Sequence, residues 1–242
     1  MTVFGGPDIV TDGLVLHLDA ANRKSYPGSG NTWYDLSGGN NHVQKEGASG
    51  PNFVNVNNGV FSFNGSDERF ESGNKAVANM HGSDGCTLES WTKLTGTISQ
   101  SWVVLNPHLL HAVGNWSTGL LWNSVTLKFR AHIRASNNSY NPDTSITFPL
   151  SEIQKWHYYA QVYDPPYIRV YVDGSLFQTI TSSATGGTVS TSYNNFVIGG
   201  WKDPTLRLLS QQYIGVSTGY NKALSAAEIR KNFEAVKGRF GL

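Results

Sequence analysis

Only one cysteine, Cys86, occurs in the 242 residues. No intrachain disulfide can form, so a disulfide-stapled secreted scaffold is excluded. Charge is also sparse. Asp, Glu, Lys and Arg make up 14% of the chain, with 18 basic against 17 acidic residues and a formal net charge of +1. That balance gives no footing for a nucleic-acid partner or a polybasic membrane patch. No apolar run approaches the ~20 residues a membrane-spanning helix needs. The N-terminal MTVFGGPDIVTDG lacks the charged and apolar stretches of a signal peptide. The expectation is a soluble chain made in a reducing cytoplasm, with Cys86 packed as a small hydrophobe.

What is abundant is turn and ring chemistry. Glycine occurs 26 times and aromatic residues make up 12% of the chain. Short strands joined by many turns fit that profile, with rings filling β-sheet layers. The length suits one large domain, and no composition shift marks a boundary, so residues 1–242 are expected to form a single β-sandwich domain.

Alternation supports this along the chain. GLVLHLDAAN (13–22) sets Leu14, Leu16 and Leu18 against Val15, His17 and Asp19. A long Gly/Ser/Asn loop follows, expected to be pinned by Trp33 and Tyr34. GVFSFNGSDERFES (59–72) predicts a hairpin turning at Asn64-Gly65-Ser66-Asp67, with Phe61, Phe63 and Phe70 inside. CTLESWTKLTG (86–96) sets Cys86, Leu88, Ser90 and Thr92 against Thr87, Glu89, Trp91 and Lys93. Near the C-terminus, LSAAEIRKNFEAVKGRF predicts one helix over about 225–238. Ser225 and Glu228 form an S-x-x-E capping box, Gly238 is the expected stop, and Leu224, Ile229 and Phe233 face the body.

The stretch KWHYYAQVYDPPYIRVYVDGSLFQT (155–179) carries Asp164 and Asp173. Asp164 precedes two prolines, which belong in a connection. Asp173-Gly174 is a strong type I′ hairpin signal. Both aspartates therefore read as turn residues at opposite ends of one strand. At about 3.3 Å per residue they stand roughly 30 Å apart, too far for an acid/base pair.

The order of GLVLHLDAAN, TWYDLSGGNNH, FSFNGSDERFES, CTLESWTKL, KWHYYAQVYD…IRVYVDG, FVIGG and YNKALSAAEIRKNF resembles the laminin-G-like branch of the concanavalin A-like lectin/glucanase superfamily. The opening GLVLHLDAANRKSYPGSGNTWYDLSG is most similar to versions in tailed-bacteriophage structural proteins. The resemblance implies a jelly-roll sandwich of two antiparallel sheets with a short C-terminal helix. It also implies binding to glycans or protein surfaces.

Catalytic patterns are missing. Glucanase members carry E-x-D-x-x-E on one strand, and none of the seven glutamates stands in it. Glu68 and Glu71, three apart, fall on opposite faces of a strand, and Glu89 is alone on its strand. No G-x-S-x-G and no phosphate loop with its lysine occur. His108 and His111 in HLLH diverge in a strand, with His132 the possible third partner. Calcium is the metal the resemblance suggests, with Asn64, Asp67 and Glu68 as weak ligand candidates against a plain turn. Trp116, Trp122, Trp201 and Asp203 lie at strand ends or loops and are candidate contact residues. Trp91 and Trp156 read as filling of the sandwich core.

The sequence reading is a non-catalytic virion protein, a capsid decoration or tail component assembled in the host cytoplasm. Its partners would be other virion proteins or further copies of itself. The alternative is a protein recognising host surface polysaccharide, and a glycan-cleaving enzyme ranks third.

Overall fold

In the computed structural model, the described residues are 8–72, 85–96, 102–111, 117–135, 138–140, 142–181, 193–200 and 210–242. The strands are β1 (Leu14–Asp19), β2 (Thr32–Trp33), β3 (Val43–Glu46), β4 (Asn52–Val54), β5 (Val60–Asn64), β6 (Arg69–Glu71), β7 (Cys86–Leu94), β8 (Trp102–Val104) and β9 (His108–His111). They continue with β10 (Ser117–Asn123), β11 (Lys128–Ala135), β12 (Asn138–Tyr140) and β13 (Asp143–Thr147). After the single-turn helix α1 (Leu150–Ile153) come β14 (His157–Asp164), β15 (Tyr167–Val172), β16 (Ser175–Thr181), β17 (Tyr193–Ile198) and β18 (Gln211–Tyr220). Helix α2 (Ala226–Phe240) follows.

The first sheet runs β16-β15-β14-β7-β18-β5-β4, with β1 also on β18. The second runs β12-β11-β10-β9-β17-β6-β3-β2, with β13 on β11 and β8 on β10. Both sheets are antiparallel, in the jelly-roll, lectin-like arrangement. Strand β18 organises the first sheet. Its full length pairs with β7 on one side, while β5 and then β1 line up end to end on the other.

Three apolar layers result. Between the sheets lie Leu16, Leu88, Phe61, Phe70, Trp122 and Phe129 among others. Between the first sheet and α2 lie Trp91, Tyr158, Val216, Ile229, Phe233 and Phe240. A small third cluster, Val104, Leu121 and Val197, sits on the second sheet. Alternation along β7 and β14 sends Cys86, Leu88, Tyr159 and Tyr163 inward, and Trp91, Tyr158, Ala160 and Val162 toward the helix. Trp91 thus fills a layer other than the one expected from sequence. It stacks on Phe233 and Phe240 at 5.6 and 4.5 Å, because the C-terminal helix supplies a second hydrophobic cover. Half-buried Trp156 packs against Phe240 in the same layer.

Other expectations are corrected. Strands β5 and β6 do not form a hairpin: β5 joins the first sheet and β6 the second. The turn between them carries the chain across the sandwich, so Phe61, Phe63 and Phe70 still meet in the middle layer. Helix α2 runs past Gly238 to Phe240, and Gly241 in the left-handed region (φ +82°) ends it. Gly238 stays helical; the left-handed closing residue is Gly241, placed one beyond Phe240, which packs under the helix. Trp33 is fully buried, but Tyr34 is exposed; its ring meets that of His42 and its backbone bonds Ser25. The capping box at Ser225 and Glu228 forms as expected, as does the left-handed pair Asp173 (φ +50°) and Gly174 (φ +71°) between β15 and β16.

Candidate functional site

The two aspartates of the 155–179 stretch stand at opposite ends of β15. Asp173 locks the turn, accepting the Tyr158 amide at 3.0 Å and facing His157 Nδ1 at 2.7 Å. Asp164 pairs with Arg169 across the other end. Neither is part of an acid/base pair with the other.

The calcium candidates are engaged in their own turn. Glu68 is buried, and its Oε2 accepts the Asn64 amide at 2.6 Å. Asp67 Oδ2 accepts the Ala48 amide at 2.8 Å, and Asn64 Oδ1 the Ser66 amide at 2.7 Å. His108 and His132, on β9 and β11, lie near each other on the second sheet, and burial lowers them to about 4 and about 3. Both stay neutral near pH 7. His111 ends β9 with no turn between it and His108. Among the described residues no three His, Cys, Asp or Glu side chains converge as a metal site.

Of the contact candidates, Trp116, Trp201 and Asp203 lie outside the described residues. Trp122 is corrected. It is completely buried between the sheets, and its indole N–H donates to the Phe148 carbonyl at 2.9 Å. Its strand position put it on the inner face, where Phe129 and Leu120 also pack.

The most perturbed carboxyl is closed off. Glu89 is 3% exposed on the helix side of β7. Burial pushes it up to about 7, opposed by the Tyr158 hydroxyl and the Asn232 amide beside it. Asn232 Nδ2 donates toward both Glu89 oxygens at 3.0 and 3.1 Å, and its Oδ1 accepts the Val10 amide at 2.8 Å. Thr218, opposite Glu89 on β18, is opposite His17 on β1. Burial lowers the His17 pKa. A cavity of about 10 Å³ remains here, about the space of one water. No saccharide fits it. Cys86, likewise buried, is pushed up to about 12 and stays a neutral thiol.

An open hollow of about 260 Å³ lies where the loop after β1 meets the β4–β5 turn. Ala20, Ala21, Arg23, Tyr26 and Gly28 line one side, and Phe53, Asn55 and Asn58 the other. The rings of Tyr26 and Phe53, 5.2 Å apart, sit over Phe61 of the middle layer. Arg23, Asn55 and Asn58 are exposed. Arg23 donates Nη1 to the Pro27 carbonyl at 2.8 Å. Among the described residues the side-chain amides of Asn55 and Asn58 have no hydrogen-bond partner.

The frame around these groups is fixed. Asn22 accepts the Ser25 and Tyr26 amides on its carbonyl, both at 2.8 Å, and Tyr26 donates its hydroxyl to Gly30 at 3.0 Å. Across the hollow, Arg239 of α2 donates Nε to the Asn57 carbonyl at 2.7 Å and also holds Gly59 and Asp19. Asn57 returns a bond from Nδ2 to the Arg239 carbonyl at 2.9 Å. The half-buried Phe53 ring beside exposed amides suits a small polyol: an apolar C–H face would lie on Phe53 and hydroxyls would exchange bonds with the amides. Sequence reading missed these residues. The amide-rich NVNNG (55–59) was the available signal, but nothing local joins it to Arg23 and Tyr26.

A family model described as Laminin_G_3, concanavalin A-like lectin/glucanases superfamily, matches residues 64–230, more than half of the chain. No curated protein matches. Solved structures share the fold at low identity. A Trypanosoma rangeli sialidase in complex with 2,3-difluorosialic acid is 18% identical with a TM-score of 0.68, over 100% of this chain and 36% of that one. The receptor-binding domain of botulinum neurotoxin C/D mosaic serotype is 16% identical with a TM-score of 0.65, over 93% of this chain and 52% of that one. The binding domain of botulinum neurotoxin DC in complex with rat synaptotagmin II is 15% identical with a TM-score of 0.67, over 94% and 52%. The chain thus spans about a third of the sialidase and half of the toxin domains. An enzyme and two binding domains appear together, so the fold likeness leaves catalysis undecided.

Proposed function

The chain belongs to the concanavalin A-like lectin/glucanases superfamily, and from that premise we propose that it is a non-catalytic carbohydrate-binding domain, with the saccharide in the hollow between Arg23, Asn55 and Asn58. One observation carries the reading: exposed polar groups surround the half-buried Phe53 ring on a rim held from both sides. Pre-organisation lowers the entropy cost of holding a polyol. Neighbouring folds point the same way, since a botulinum neurotoxin type C structure is described as interacting with two ganglioside molecules. Among the described carboxylates, Glu71 is paired with Arg69 and Glu89 is sealed under α2, which supports binding without hydrolysis.

A glycan array tests the reading. Signal on a saccharide class should fall at least about tenfold in Asn55→Ala/Asn58→Ala, with the melting temperature unchanged. Signal that survives the double variant moves the site elsewhere, and release of reducing sugar from a bound polysaccharide overturns the non-catalytic part.

The similarity of residues 13–38 to tailed-phage structural proteins favours a second reading, that this domain rides on a virion and meets other virion proteins or host polysaccharide. The matched family and structures name no phage protein. Mass spectrometry of purified particles tests it: absence of the chain from virions sinks the idea.

A further inference from the structure

We propose that the saccharide taken by the hollow is acidic, with its carboxylate on the Arg23 guanidinium; this rests on the glycan-binding reading above. Among the described residues Arg23 is the one charged group lining the hollow, and no carboxylate lines it. The nearest acid along the chain, Asp19, is already paired with Arg239. Lys45 Nζ, 5.6 Å from the Tyr26 ring centre, lies outside the lining and has Glu68 as a neighbouring charge. A neutral sugar would leave the guanidinium facing water, whereas a carboxylate matches its planar donors in a two-point bond.

Backbone geometry keeps Arg23 in place. Gly28 has φ +103°, and a Cβ there would stand 3.1 Å from Arg23 Nη1. A side chain at 28 would be strained by that φ and would crowd the guanidinium, which lies against the 27–28 backbone, tied to Pro27. One N–H is used by that bond, and the guanidinium has five. The remaining donors are available to a ligand beside Asn55 and Asn58.

The experiment uses uronic- and sialic-acid oligosaccharides printed beside their methyl esters, which keep the skeleton and remove the charge. The acids should give at least about tenfold more signal than their esters, and added salt should shrink the difference. Arg23→Gln should equalise the pair. Lys24→Gln, an exposed charge change outside the hollow, should leave the preference intact. Equal binding of acids and esters by the native protein overturns the inference. So does a preference that persists in Arg23→Gln. Binding of neutral sugars that is lost in Asn55→Ala/Asn58→Ala overturns the acidic ligand but keeps the glycan site. Silence on every saccharide overturns both.

Discussion

Two polar clusters lie against the first sheet, and they differ in what surrounds them. Around Glu89, the carboxyl, the Asn232 amide and the Tyr158 and Tyr220 hydroxyls face one another under α2, with space for about one water. Around Arg23, the polar groups face a hollow of about 260 Å³, and two side-chain amides have no partner among the described residues. The first cluster has the strongly shifted acid and no access; the second opens to solvent. A shifted pKa marks burial, and function also requires an opening. The closed cluster therefore reads as a fastening for the C-terminal helix, and the open one as a recognition site.

The largest effect should come from breaking the fastening. Asn232→Ala removes the donor to Glu89 and the acceptor for the Val10 amide. Leaving buried polar groups unpaired costs about 3 kcal/mol or more, measurable by urea denaturation. A loss under about 1 kcal/mol would show the cluster carries little stability.

Next comes pH. The unfolded carboxyl titrates near its ordinary 4.5 and the folded one near 7, so the folded state holds the proton more tightly. The Glu89 contribution is fully present below pH 4.5 and is lost as pH rises through 7. At about 1.4 kcal/mol per pKa unit, the total is about 3 kcal/mol. Glu89→Gln should flatten that slope between pH 4.5 and 7; an unchanged slope would assign it to other groups.

Arg239 joins the two regions, because it leaves α2 to hold the Asn57–Gly59 rim. Arg239→Gln should cost about 2 kcal/mol of stability and weaken saccharide binding as the rim loosens. Loss of stability with unchanged affinity would separate the hollow from the helix. The smallest effect is expected from calcium. The oxygens of Asn64, Asp67 and Glu68 accept backbone amides of their own turn and of Ala48, so millimolar calcium should leave the melting temperature unchanged. A rise of several degrees would return the metal to this turn.

Much of this contrast was invisible in the sequence for a stated reason. Glu89 was legible as a lone acid on an alternating strand, but its partner Asn232 is 143 positions away. The hollow is built from residues 20–28 and 53–58, and neither segment carries a motif alone. Trp122 looked accessible because polar residues flank it, and pairing of Trp122 with Phe129 on β11 placed it inside instead.

Local chemistry determined the rest before any contact was known. Period-two alternation marked β1, β7, β14 and β15, Asp173-Gly174 a turn, and Ser225 with Glu228 the start of α2. Each depends on neighbours within a few residues. Only the tertiary structure decided that β5 and β6 part company, that both faces of β7 are covered, and which polar groups stay open to water. Those outcomes depend on which distant surfaces meet, and alternation along a strand says that it has two faces without saying what will cover either one.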